Sequence, residues 1–147
     1  MPRNPQRSGH PTPPFFVRFD AHVHAVPETR RSFVGWMRDA QLDEDTIEDL
    51  EVVFSEVAAN AVTASPDPTD EVLIRSAIDD AVLVLEVSNR TDRADHLPLA
   101  PPDLDDPLRP SGRGLLIARA FVDSVDIEAE EPDRLVVRCC RRIALPR

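Results

Sequence analysis

The chain has 147 residues, enough for one domain with a real core, and its 27 acidic and 17 basic residues give a formal net charge of −10. A surface that acidic is repelled by a phosphate backbone or an anionic leaflet, which argues against nucleic acid and membrane as partners. All the basic residues are arginine, and the lack of lysine excludes P-loop chemistry, the strand lysine of eukaryotic-type protein kinases and Schiff-base catalysis.

Residues 1–14 are rich in proline, offer almost nothing to bury, and are expected to form a disordered tail ahead of a single domain over 15–147. From Phe15 to Val23 the aromatic and branched residues alternate roughly, as a strand requires. Pro27 then opens a helix running to about Gln41, with Phe33, Val34, Met37 and Ala40 on an apolar side around Trp36. Asp43 to Ser65 reads as one long helix. At about 100° per residue, Ile47, Leu50, Phe54, Val57, Ala58, Ala61 and Val62 share a face with Val53 at its edge. Its acidic first turn suits the positive end of the helix dipole, and Pro66 and Pro68 stop it.

Two apolar strands follow, Glu71–Asp79 and Ala81–Ser88, joined as a hairpin at Asp79-Asp80. The segment from about 89 to 111 is irregular and rich in proline and aspartate; a loop of that length in a compact domain is usually a lid, a binding segment or disordered. A helix beginning at Gly112-Arg113-Gly114 and two strands, about Ser124–Glu130 and Arg134–Ile143, complete the chain. This order packs helices on one face of a mixed, mostly antiparallel sheet, a two-layer α/β sandwich. Cys139 and Cys140 are neighbours on a strand and point to opposite faces, so no disulfide is expected between them. No apolar run approaches the ~18 residues needed to span a bilayer, and no signal peptide is evident. A cytoplasmic location is expected.

Three local patterns carry chemistry. Glu56 and Asn60, one turn apart, present a carboxylate and a carboxamide on the same side of the long helix. The asparagine oxygen suits a hard cation such as Mg²⁺, and the glutamate suits proton abstraction from an attacking hydroxyl. Gly112 and Gly114 are two of only four glycines, placed where a helix N-terminus presents free N–H groups to an anion. His22 and His24 share a face of the expected first strand as two metal ligands would, but no third ligand lies nearby and they read as a surface pair.

Taken together and in this order, SEVAANAV, the proline-rich segment and GRGLLIARAF resemble the ATP-binding domain of bacterial anti-sigma-factor serine kinases. More distantly they resemble that of histidine kinases, gyrase B, Hsp90 and MutL (the Bergerat-type fold). The resemblance spans about Phe15 to Ile143. It implies ATP and Mg²⁺ as cofactors, Glu56 as catalytic base, and Asn60 as Mg²⁺ ligand. It also places Gly112, Arg113, Gly114 and Leu115 around the phosphates. Further implications are phosphorylation of a serine on a small antagonist protein, capture of a sigma factor, and pairing as a homodimer. One segment departs from the family pattern. Where Asp-x-Gly-x-Gly is expected after the second hairpin strand, the chain has Asn89-Arg90-Thr91-Asp92-Arg93. Asn89 would face the adenine amino group with an acceptor oxygen but no charge. Pro132-Asp133-Arg134 replaces a glycine-threonine pair expected near the last turn. Two readings therefore remain, an active kinase and a partner-binding module on the same fold with little or no turnover.

Overall fold

The computed structural model describes residues 12–91 and 110–144. The elements are β1 (Phe15–Asp20), α1 (Ala25–Asp39), α2 (Glu44–Ala64), β2 (Glu71–Asp79), β3 (Val82–Arg90), α3 (Pro110–Phe121), β4 (Ser124–Glu131) and β5 (Arg134–Arg142). They form one five-stranded sheet in the order β1-β2-β3-β5-β4. The expected two-layer sandwich is present, with one refinement: every pairing is antiparallel, so the sheet is not mixed.

Strand alternation separates the two faces of the sheet. Val17 and Phe19 on β1, Val72 and Ile74 on β2, Leu83, Leu85 and Val87 on β3, and Val137 and Cys139 on β5 fall in register on the side the helices cover. The opposite face carries charge, with Arg138 of β5 bridging Glu86 of β3 at 3.4 Å and Glu128 of β4 at 3.8 Å. No helix among the described residues is long and apolar enough to cross a membrane.

α2 is the centre of the helical layer. Ile47, Leu50, Val53, Phe54, Val57 and Ala58 are all at most 2% exposed. Val53 is therefore fully buried rather than at an edge, because neighbouring helices flank α2 in addition to the sheet beneath it. Phe54 stacks on Phe33 of α1 at 4.8 Å between ring centroids, and Phe15 of β1 meets Phe33 edge-on at 5.4 Å. Such aromatic pairs add to the burial of their area. The Trp36 indole N–H donates to the Pro13 carbonyl at 2.7 Å, anchoring the chain ahead of β1 to the helical layer.

The turns follow local chemistry. α1 ends in a Schellman arrangement in which the Leu42 N–H donates to the Met37 carbonyl and the Gln41 N–H to that of Arg38. Gln41 sits at φ 63°, the left-handed position that glycine usually fills. Asp80 and Ala81, at φ 49° and 59°, make the two-residue turn of the β2–β3 hairpin, whose positive dihedrals match the strand twist. After α2, the Asp67 carboxylate accepts from the Thr69 N–H and hydroxyl, bonds that hold it below the ordinary aspartate range. β1 ends at Asp20 instead of Val23. The pairing with β2 closes where the Ala21 N–H reaches the Asp70 carbonyl, and the chain then turns into α1. His22 and His24 accordingly lie in that turn and not on a strand, with their exposed rings stacked at 5.2 Å.

Two consequences can be measured. Gln41→Gly relieves a left-handed dihedral at the end of α1, and the gain should exceed the added chain entropy by roughly 0.5–1 kcal/mol, read as a higher melting temperature. Cys139 is buried and its thiol is pushed up to about 12, first by burial, whereas Cys140 lies partly exposed on the other face. A thiolate-specific reagent should therefore modify one thiol per native chain at pH 8, that of Cys140, and two in denaturant.

Candidate functional site

One end of the sandwich gathers the polar residues that the packing leaves incompletely covered. The geometry begins with α2, which ends only a short turn before β2; β2 in turn starts beside the end of β3, with Val72 paired to Asn89. The C-terminal half of α2 therefore lies at the Asn89 end of the sheet. At the opposite end, the Arg141 guanidinium donates to the Asp49 carboxylate of α2 and to the carbonyl of Phe121, the last residue of α3, each at 2.8 Å. This places the C-terminus of α3 level with the first half of α2.

Since α2 and α3 pack along one another, α3 runs antiparallel to α2. From Asp49 to Asn60 and from Phe121 back to Pro110 are each about three turns, roughly 16 Å of helix. The first turn of α3 comes back level with Asn60. Glu56 and Asn60 project from that half of α2, both half-buried, on the row that begins with the fully buried Val53.

Asn89 stands at the end of the apolar row Leu83, Leu85, Val87, pointing to the helix side, and is 3% exposed. Its Nδ2 donates to the Arg90 carbonyl at 2.9 Å, which fixes the plane of the carboxamide. Two residues on, Thr91 is 4% exposed, and its N–H donates to the Asp133 carbonyl at 2.7 Å. Two buried polar residues thus close an otherwise apolar strand, and buried polar side chains are retained where they are hydrogen-bonded or meet a ligand. Thr91 stands where the resemblance implies a glycine, and the alternation Val87, Asn89, Thr91 sets it on the same face as Asn89. Arg90, pointing the other way, pairs with Asp70 and Asp133, each at 3.4 Å, and ties the end of β3 to the turns on both sides.

α3 begins at Pro110, two residues earlier than expected. Proline suits the first helical position, where its missing N–H would be unpaired in any case. Gly112 and Arg113 consequently lie within the first turn and Gly114 opens the second; the surroundings of their side chains lie outside the described residues. Leu115 is different. Its side chain packs, half-buried, against the hydrophobic core, so a role at a phosphate is not visible in its side chain. Most of the expected lid, residues 92–109, lies outside the described residues, as does nearly all of the expected tail; Asn89 and Arg90 belong to β3, and Pro110 and Ser111 to α3. Among the described residues no three His, Cys, Asp or Glu side chains gather as a metal site.

Known proteins share this architecture. The RsbU and RsbW domains of Rv1364c from Mycobacterium tuberculosis superpose with a TM-score of 0.70 at 21% identity. That match covers 92% of this chain and 34% of that one, so the chain spans about a third of the longer protein. A chain of the SiaB–SiaC complex from Pseudomonas aeruginosa superposes with a TM-score of 0.65 at 15% identity, covering 88% and 89% of the two chains. At such identities the likeness speaks for the fold. No curated protein sequence matches the chain. The model of the histidine kinase-like ATPase domain matches residues 19–141, from the end of β1 through β5, and the chain therefore belongs to the histidine kinase-like ATPase domain family.

Proposed function

We propose that the protein is an ATP-binding regulator similar to anti-sigma-factor kinases, which transfers the γ-phosphoryl group of ATP to a serine of an antagonist protein and also sequesters a sigma factor. The observation that carries this reading is the convergence, at one end of the sandwich, of Glu56 and Asn60 with buried Asn89 and the first turn of α3. Family membership supports the nucleotide, and the neighbours named RsbW and SiaB–SiaC support a regulatory protein partner.

Each residue has a defined part. The Asn89 carboxamide, with its Nδ2 held by Arg90, turns its oxygen to the adenine amino group. The first-turn N–H groups around Gly112 and Gly114 meet phosphate oxygens, favoured by the positive end of the α3 dipole. Asn60 would hold Mg²⁺ through its side-chain oxygen, and the ion would offset charge on the phosphates. Glu56 accepts the proton of the serine hydroxyl as its oxygen bonds to the γ-phosphorus, and the bond to the β-phosphate oxygen breaks to release ADP. Positioning and electrostatics supply most of the rate in such transfers.

A second reading, a partner-binding module without turnover, is favoured by one specific feature. β3 continues in regular pairing through Arg90, and the Thr91 N–H is bonded to Asp133 where glycines would let the backbone approach the base. Calorimetric titration with ATP and Mg²⁺ separates the two. Under the kinase reading, binding is micromolar, and Glu56→Ala keeps it while abolishing phosphorylation of the antagonist; phosphorylation at the wild-type rate would remove Glu56 as base. Asn89→Asp restores a charged acceptor and should tighten ATP by about tenfold; unchanged affinity would take Asn89 away from the adenine. Absence of heat at millimolar ATP would favour the binding module.

A further inference from the structure

The two edges of the sheet are treated differently by the sequence. At β4 the edge is blunted: the strand is bulged between Ala129 and Glu131 and carries Asp126, Glu128, Glu130 and Glu131, the usual protection against pairing with another chain. β1 has no bulge and only two charged residues of opposite sign, Arg18 and Asp20. Its six residues, FFVRFD, pair with β2 in unbroken register. The Ala21 N–H bonded to Asp70 sets the parity of that pairing, so that Phe15, Val17 and Phe19 bond to β2. The backbone N–H and C=O groups of Phe16 and Arg18 therefore face outward along an edge that no other strand among the described residues covers.

The side chains beside that edge have a definite chemistry. Phe16 is 51% exposed, the most exposed aromatic residue on the sheet, and the Arg75 guanidinium lies 5.6 Å from its ring centroid. Phe16, Arg75, Ala77, Val84 and Glu86 border a hollow of about 280 Å³ on the face away from the helices. Glu86 is already paired with Arg138. Arg18 and Arg75 are exposed and have no carboxylate partner among the described residues, which is notable in a chain of net charge −10.

We propose that the β1 edge is a docking strand for an extended acidic segment of a protein partner, taken up as a sixth strand. Added strands gain affinity from main-chain hydrogen bonds and specificity from alternate side chains. Residues two apart on the incoming strand share a face, as Phe16 and Arg18 do on β1. The occupant therefore carries an apolar side chain beside Phe16 and its neighbour Arg75 and, two residues away, a carboxylate for Arg18. This surface lies on the sheet face opposite the helices, away from Glu56, Asn60 and the first turn of α3.

The probe is a fluorescein-labelled heptapeptide, Thr-Thr-Phe-Thr-Glu-Thr-Thr, titrated into the full chain and followed by anisotropy, with amide hydrogen exchange as a second readout. Saturable binding is expected, with slowed exchange at the Phe16 and Arg18 amides. It should weaken about tenfold when the peptide's glutamate is replaced by lysine, and likewise with Arg18→Glu or Phe16→Ser. Both positions are exposed, and thermal melts establish that the variants fold. Lack of saturable binding, or equal binding by wild type and both variants, overturns the proposal. So does light scattering that shows a dimer broken by Phe16→Ser, since the edge would then belong to a second copy of this chain.

Discussion

The burial of α2 is the constraint on which the other features depend. A helix of 21 residues lies on the sheet with α1 and α3 also packed against it, so its buried surface exceeds a single stripe and takes in Val53 as well as Phe54, Val57 and Ala58. Apolar area removed from water contributes about 25 cal/mol per Å², so the helix is held mainly by contacts beyond its own backbone. Near its C-terminal end the cover thins. There the row that starts at Val53 continues as half-buried Glu56 and Asn60, and the same burial that anchors the helix holds those two groups at the rim of the site.

Arg141 has a related effect at the other end. A single guanidinium bonds the Asp49 carboxylate and the last carbonyl of α3, satisfying a helix terminus and aligning two helices at once. Antiparallel alignment of α3 with α2 brings a helix N-terminus, with its positive dipole end, to the Glu56 and Asn60 side. Reversal of α3 would bring its carbonyl end there, which repels phosphate. The electrostatic character of the site is thus set by chain direction as much as by residue type.

The end of β3 shows where family pattern and local structure part company. Asn89 and Thr91 stand where the resemblance implies an aspartate and a glycine, yet both are buried, and Thr91 is held to the β4–β5 turn through Asp133. β3 keeps regular pairing with β5 there, through Asn89 opposite Leu135 and Arg90 opposite Arg134.

Periodicity determined the long helix, the β2–β3 hairpin and the last two strands, because a repeat of 3.6 or 2 residues is written in each segment alone. The placement of Glu56 and Asn60 on one side of α2 was equally legible, since four residues make about one turn. The ends of β1 and α3 were not, because strand pairing with Glu71 and the fit of Pro110 at a helix start depend on partners outside the local pattern. Val53 looked peripheral for the same reason: one helix's apolar moment does not reveal how many neighbours will cover it. Gathering Asn89, Thr91, Asn60 and the α3 N-terminus at one end of the sandwich was decided only by tertiary structure. Their sequence separations are long, and what joins them is sheet register and the Arg141 contact, neither of which a local pattern contains.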